Sequence, residues 1–85
     1  MYTGERRRLL QDLAEVLPRH GLASRIVGEE ETLLRVWHPH TRKQTLVFAT
    51  PARKGWLLLW APGGQGDADD LEETARSLKR ALGSV

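Results

Sequence analysis

Near the start of the chain, apolar residues recur every three or four positions, which is the spacing of one face of an α-helix. Thr3 is a suitable N-cap for this helix. Pro18 and Gly21 should end it. Arg19 and His20 then lie near the negative end of the helix dipole, where positive charge is favourable. The apolar stripe comprises Leu9, Leu10, Leu13, Val16 and Leu17.

A second helix is predicted at the other end of the chain, between an N-cap at Asp67 and a stop at Gly83. Acidic residues are concentrated in its first turns and basic residues towards its end, which complements the helix dipole. Its apolar residues have the spacing of a single buried stripe. They are Leu71, Ala75, Leu78 and Leu82.

Four strands are predicted between the helices, because short runs of strand-forming residues are separated by prolines and polar turns. Their connections are too short for parallel crossovers, so the strands should form an antiparallel meander. The glycine-rich stretch 63–66 is interpreted as a flexible link. We therefore expect one α+β domain over residues 1–85, of order α-β-β-β-β-α, with an N-terminal and a C-terminal helix on one face of the sheet. The predicted strands are residues 23–28, 32–38, 43–50 and 55–61.

Alternation along each strand separates the residues that point to opposite faces of a sheet. We assume that the arginines point away from the helices. The fourth strand is apolar on both sides, so its leucines are assigned to the leucine-rich helices. The residues predicted to point towards the helices are Ile26, Leu34, Val36, Leu46, Phe48, Leu57 and Leu59. Those predicted to point away are Arg25, Val27, Leu33, Arg35, Trp37, Thr45, Val47, Trp56, Leu58 and Trp60.

The uncovered side of this sheet is the main candidate for function, since large exposed apolar patches mark interaction sites. Tryptophan combined with arginine is typical of protein interfaces. We expect a protein partner, most simply a second copy of the chain stacked sheet on sheet as a homodimer. Two alternatives stay open: the tryptophans belong to the core beneath the helices, or they stack on nucleobases or another small ligand. The predicted interaction face consists of Arg25, Arg35, Trp37, Trp56, Leu58 and Trp60.

Catalytic and metal-binding patterns are not recognisable in the sequence. His38 and His40 flank a proline, but without cysteine or a nearby acidic residue they make an incomplete ligand set. The serines lie in no strand-to-helix elbow. The stretch 63–66 lacks the Lys-Ser/Thr pair of a phosphate-binding loop and leads into acidic residues. We expect a protein that is not an enzyme, with no catalytic residue, no cofactor and no metal.

Composition adds constraints on location and partners. The chain contains no cysteine, which favours a reducing, cytoplasmic setting. Its longest apolar run, residues 56–62, is much too short to span a membrane, and no secretory signal is visible. The net charge is only +2. We expect no nucleic-acid partner, because the basic residues cluster at the chain start and at turn tips and form no stripe with the tryptophans.

A set of short motifs resembles small actinobacterial proteins of unknown function. In that group a leucine-rich helix precedes a four-stranded sheet, and a tryptophan-bearing last strand leads through a Gly/Pro link into an Ala-Asp-Asp helix. The resemblance implies this fold and assigns no catalytic residue. A composition rich in Arg, Ala, Leu and Gly fits a high-GC genome. The matching residues are Leu34, Val36, Pro39, Trp56, Trp60, Ala68, Asp69, Asp70, Ala75 and Leu82.

Overall fold

The computed structural model describes residues 3–83 of the chain. Two α-helices enclose five β-strands in the sequence, and a short 3-10 helix, Leu17–His20, follows the first α-helix. The helices are α1 (Thr3–Val16) and α2 (Leu71–Gly83). The strands are β1 (Ala23–Val27), β2 (Leu33–Trp37), β3 (Gln44–Ala52), β4 (Gly55–Trp60) and β5 (Gly64–Asp67).

The strands form one antiparallel sheet in the order β1-β2-β3-β4-β5. The predicted α+β class and the antiparallel meander are therefore confirmed, but the sheet has five strands rather than four. The extra strand, Gly64–Asp67, includes three of the four residues interpreted as a link. Two of its glycines, Gly64 and Gly66, pair with Trp60 and Leu58 of β4. Glycine is unfavourable within a strand, so the local sequence did not predict a strand here.

β3 also runs further than predicted, because it continues through Pro51 to Ala52. On the β2 side, the register of β3 extends only as far as Val47. Pro51 pairs with Trp56 of β4 alone. A proline is tolerated in a strand where one edge has no partner, since its missing N–H then removes no ladder hydrogen bond.

The start of α2 differs from the prediction by three residues. Asp67 is the last residue of β5, and its Oδ1 accepts a hydrogen bond from the backbone N–H of Asp69 at 2.9 Å. The N-cap is Asp70, whose Oδ1 accepts the N–H of Glu73 at 3.1 Å, as expected for a capping aspartate. Thr3, the predicted cap of α1, is assigned to the helix, but its side chain lies outside the described part of the chain.

Both helices pack on the same side of the sheet and supply the core with the two predicted stripes. Leu10, Leu13 and Leu17 are fully buried, as are Ala75 and Leu78 of α2. Gly21 ends the 3-10 helix with φ at 75°, and its N–H donates to the carbonyls of Leu17 and Pro18. The sheet contributes Leu34, Val36, Val47, Ala49, Leu58 and Trp60 to this core.

The predicted facing is right for β1 and β2 and wrong for β3 and β4. Directly paired residues on neighbouring strands point to the same side of a sheet. Arg35 pairs with Leu46, so an outward arginine on β2 forces that leucine outward as well. The same ladder places Val47 beside Trp60 and Phe48 beside Leu59. The large apolar residues on β3 and β4 that point away from the helices are therefore Leu46, Phe48, Leu57 and Leu59, whereas Val47, Trp56, Leu58 and Trp60 point towards them.

Candidate interaction face

The side of the sheet opposite the helices is uncovered and largely apolar. Its centre lies on β3, the middle strand, where Leu46 and Phe48 are 46% and 44% exposed. The flanking apolar residues on β2 and β4 are half-buried. We call this surface the open face. It comprises Ala23, Arg25, Val27, Leu33, Arg35, Trp37, Gln44, Leu46, Phe48, Thr50, Leu57, Leu59, Gln65 and Asp67.

Three of the six residues predicted for the interaction face lie on the open face, namely Arg25, Arg35 and Trp37. The other three, Trp56, Leu58 and Trp60, lie on the helix side. Leu58 is completely buried and Trp60 is only 6% exposed, so neither offers a surface to a partner in the folded chain.

The two tryptophans of β4 have structural roles on the helix side. The indole of Trp60 lies against Gly64, where an added Cβ would overlap it. Trp56 is half-buried against the core, and its Nε1–H donates to Glu5 Oε2 at 3.1 Å, which connects β4 to the first turns of α1. Indole N–H groups normally find such partners when they are buried.

Sequence reasoning missed Leu46 and Phe48, the two most exposed apolar residues of the open face. Both strands β3 and β4 carry large apolar residues on each side, so alternation alone cannot distinguish the two faces. The sequence feature that could have indicated the correct facing is the pair of glycines two positions apart, Gly64 and Gly66. Such spacing on one face of a strand indicates a site where large neighbours approach the backbone closely.

Charge is unevenly distributed over the open face. Arg25 and Arg35 are directly paired across β1 and β2, and the Arg35 guanidinium lies 5.2 Å from the ring centroid of Trp37. Within residues 3–83, neither arginine has a carboxylate partner within 4.0 Å. The opposite edge carries the exposed carboxylate of Asp67, which pairs with Leu57. The face is thus positive on the β1–β2 side and negative at β5.

The rings of His20 and His38 are held by intramolecular hydrogen bonds. His20 Nε2 lies 2.8 Å from Glu72 Oε2. His38 Nδ1 accepts the backbone N–H groups of His40 and Thr41, at 3.1 and 3.3 Å. Among the residues described, no group of three or more histidine or acidic side chains is arranged to hold a metal ion.

Neither helix, within the described part of the chain, has the length and apolar character needed to cross a membrane. The relationship to small actinobacterial proteins that the sequence motifs suggested stays a prediction. No protein-family model, no curated protein and no solved structure matches this chain.

Proposed function

We propose that this protein is a small, non-catalytic interaction domain that associates with a second copy of itself through the open face. The observation that carries the proposal is the pair of exposed residues Leu46 and Phe48 at the centre of an uncovered apolar sheet. The free energy falls when another surface removes the apolar side chains at the middle of a sheet from water. A sheet of the same shape and composition is a suitable cover.

The size of the open face indicates a weak, reversible dimer. Five strands about 4.8 Å apart span about 24 Å, and five residues along a strand span about 17 Å, giving about 400 Å² per copy in projection. Two stacked copies would bury roughly 800 Å², well below the ~1,600 Å² of a standard stable interface. We expect a dissociation constant between about 1 µM and 1 mM.

The charge distribution favours one arrangement of the two copies. A two-fold axis parallel to β3 places β1–β2 of one copy over β4–β5 of the other. The half that carries Arg25 and Arg35 then faces the half that carries Asp67, while Phe48 meets its counterpart near the axis. A two-fold axis between the sheets and perpendicular to the strands would instead place β1–β2 of one copy over β1–β2 of the other, so that the two positive halves face each other, which is unfavourable.

Stacking of nucleobases on the sheet, the alternative raised by the sequence, is not proposed. It required several aromatic rings on the uncovered side, as in single-strand-binding sheets. Among residues 3–83, only Trp37 and Phe48 provide them there, because Trp56 and Trp60 point towards the helices.

Sedimentation equilibrium over a wide concentration range tests the proposed dimer. Wild type should change from monomer towards dimer, whereas Phe48→Glu should remain monomeric because two buried carboxylates would repel each other at the axis. Gln11→Glu, which adds the same charge on the exposed side of α1, is the control and should associate like wild type.

Two results would contradict the dimer: a monomeric wild type at millimolar concentration, or undiminished association of Phe48→Glu. Circular dichroism should accompany both variants to show that they are folded. Leu58→Glu is unsuitable as a test of association, although the sequence alone would favour it. Leu58 is fully buried, so a charge there would unfold the chain rather than report on association.

A further inference from the structure

A shallow cleft of about 460 Å³ lies where β2 turns into β3, at one end of the sheet. We propose that this cleft binds the phosphate group of a small soluble phosphomonoester. The cleft shares Arg35, Trp37 and Gln44 with the open face, but the proposal does not require the dimer, because it rests on the donors of the cleft and not on the apolar centre of that face. The lining residues are Arg35, Trp37, His38, Pro39, Arg42 and Gln44.

The cleft is rich in hydrogen-bond donors and contains no carboxylate. Four of the lining residues carry donor groups: Arg35 and Arg42 a guanidinium, Gln44 an amide and Trp37 an indole N–H. Within residues 3–83, no acidic side chain lies within ion-pairing distance of either arginine. Two unneutralised guanidinium groups on one concave surface create a positive potential suited to an anion.

The backbone that carries Arg42 is held in a fixed and unusual conformation. Arg42 has φ at 65°, a left-handed conformation that glycine adopts more easily. The turn is closed by the Arg42 N–H, which donates to the His38 carbonyl at 2.8 Å, and by the His38 N–H, which donates to the Lys43 carbonyl at 3.0 Å. Thr41 Oγ1 donates to the Leu82 carbonyl at 2.6 Å and so attaches the turn to the end of α2.

An arginine in a left-handed backbone conformation lowers the stability of the protein relative to glycine at the same position. Residues with strained backbone conformations cluster at functional sites. The fixed turn also means that binding orders little additional backbone, which favours affinity. A phosphate monoester fits this donor set better than a carboxylate does, because it offers three terminal oxygens and close to two negative charges near neutral pH.

The test is a titration of the ¹⁵N-labelled protein with inorganic phosphate, at constant ionic strength and about pH 7.5, where the dianion is abundant. The indole N–H signal of Trp37 reports on the cleft. Wild type should show a saturable shift of this signal, and acetate at the same ionic strength should not reproduce it. Protein concentration is kept in the low micromolar range or corrected for association, so that dimerisation does not contribute to the shift.

Arg42→Gly provides the decisive variant, because it removes the guanidinium and relieves the left-handed backbone at the same time. Its phosphate affinity should fall at least about tenfold, as expected for the loss of a charge-assisted contact. Its melting temperature should equal or exceed that of wild type. Arg53→Gln is the matched control, since it removes one positive charge from the β3–β4 turn, at an exposed position, and should bind phosphate like wild type.

Equal affinity for phosphate in wild type and Arg42→Gly would overturn the proposal, and so would a shift that grows linearly without saturation. Vesicles containing phosphatidic acid provide a second arm. Binding to these vesicles without any response to free phosphate would assign the site to a lipid headgroup and overturn the soluble ligand. If sedimentation shows no dimer but the protein still binds phosphate, the phosphate site is supported and only the proposed self-association is wrong.

Discussion

Gly64 and Gly66 are the residues that allow β5 to lie against the bulky side chains of β4 and α2. A Cβ on Gly64 would overlap the indole of Trp60, and a Cβ on Gly66 would overlap the side chain of Thr74. Thr74 is itself buried, and its hydroxyl lies 3.2 Å from the Asp67 carbonyl and 3.1 Å from the Asp70 carbonyl. Neither neighbour can move freely, so each glycine is required for packing.

Substitution of Gly64 by alanine should destabilise the protein by about 1–3 kcal/mol, the usual cost of overpacking a core. Gly4 is the matched control. It lies in the first turn of α1, where an added Cβ would meet nothing within 4 Å, so Gly4→Ala should be neutral or stabilise by up to about 1 kcal/mol. Urea unfolding monitored by circular dichroism measures both changes. Equal stability of the two variants would show that Trp60 can be repositioned at little cost.

At the scale of elements, a cluster of charges joins the 3-10 helix to α2. Glu72 Oε2 lies 2.8 Å from His20 Nε2, and Glu72 Oε1 lies 2.9 Å from Arg19 Nη1. The hydrogen bond from His20 lowers the pKa of the Glu72 carboxyl below its ordinary value of 4.5, and the positive charge of Arg19 adds to this effect. The contact connects two elements that are more than fifty positions apart in the chain.

The lowered pKa of Glu72 predicts a loss of stability in acid. The native state binds a proton at this group less readily than the unfolded state does, so the contribution is fully present above pH 4.5 and disappears as the pH falls through the native pKa. Glu72→Gln should therefore be less stable than wild type at neutral pH, and the difference should shrink at about pH 3. Urea unfolding at several pH values measures it.

The control for this prediction is Glu15→Gln on the exposed side of α1. Its free energy of unfolding should follow that of wild type across the same pH range. A constant difference between wild type and Glu72→Gln at every pH would mean that the glutamate acts through packing rather than through its charge.

At the scale of the whole molecule, the two sides of the sheet are unequal. The helices bury one side, whereas the other leaves Leu46 and Phe48 nearly half exposed. The proposed dimer would cover the second side with another copy. Folding and association would then be linked, because a dimer that forms only from folded chains stabilises the folded state by mass action.

This linkage predicts a melting temperature that depends on protein concentration. Raising the concentration from well below to about tenfold above the dissociation constant should stabilise wild type by roughly 1 kcal/mol, which corresponds to about 4 °C or more for a domain of this size. Phe48→Glu should melt at the same temperature at every concentration. Differential scanning calorimetry provides the measurement, and a wild-type melting temperature independent of concentration would count against the linkage.

Local pattern in the sequence was sufficient to predict both helices and the first four strands. Helical stripes and strand alternation depend on residues within a few positions of each other. Leu10, Leu13 and Leu78 therefore lie in the core as expected, and the arginines Arg25 and Arg35 correctly orient β1 and β2. The interaction candidates on these two strands, including Trp37, are on the open face for the same reason.

Tertiary structure alone decided which side of β3 and β4 faces the helices, and whether residues 64–67 form a strand. β4 is apolar on both sides, so its sequence supports either orientation equally well. The choice depends on the register that pairs Arg35 with Leu46 and Val47 with Trp60, and on glycines that make room for Trp60 on one side only. Strand register and close packing depend on contacts between residues of separate strands. The pattern of residues along one strand carries no information about those contacts.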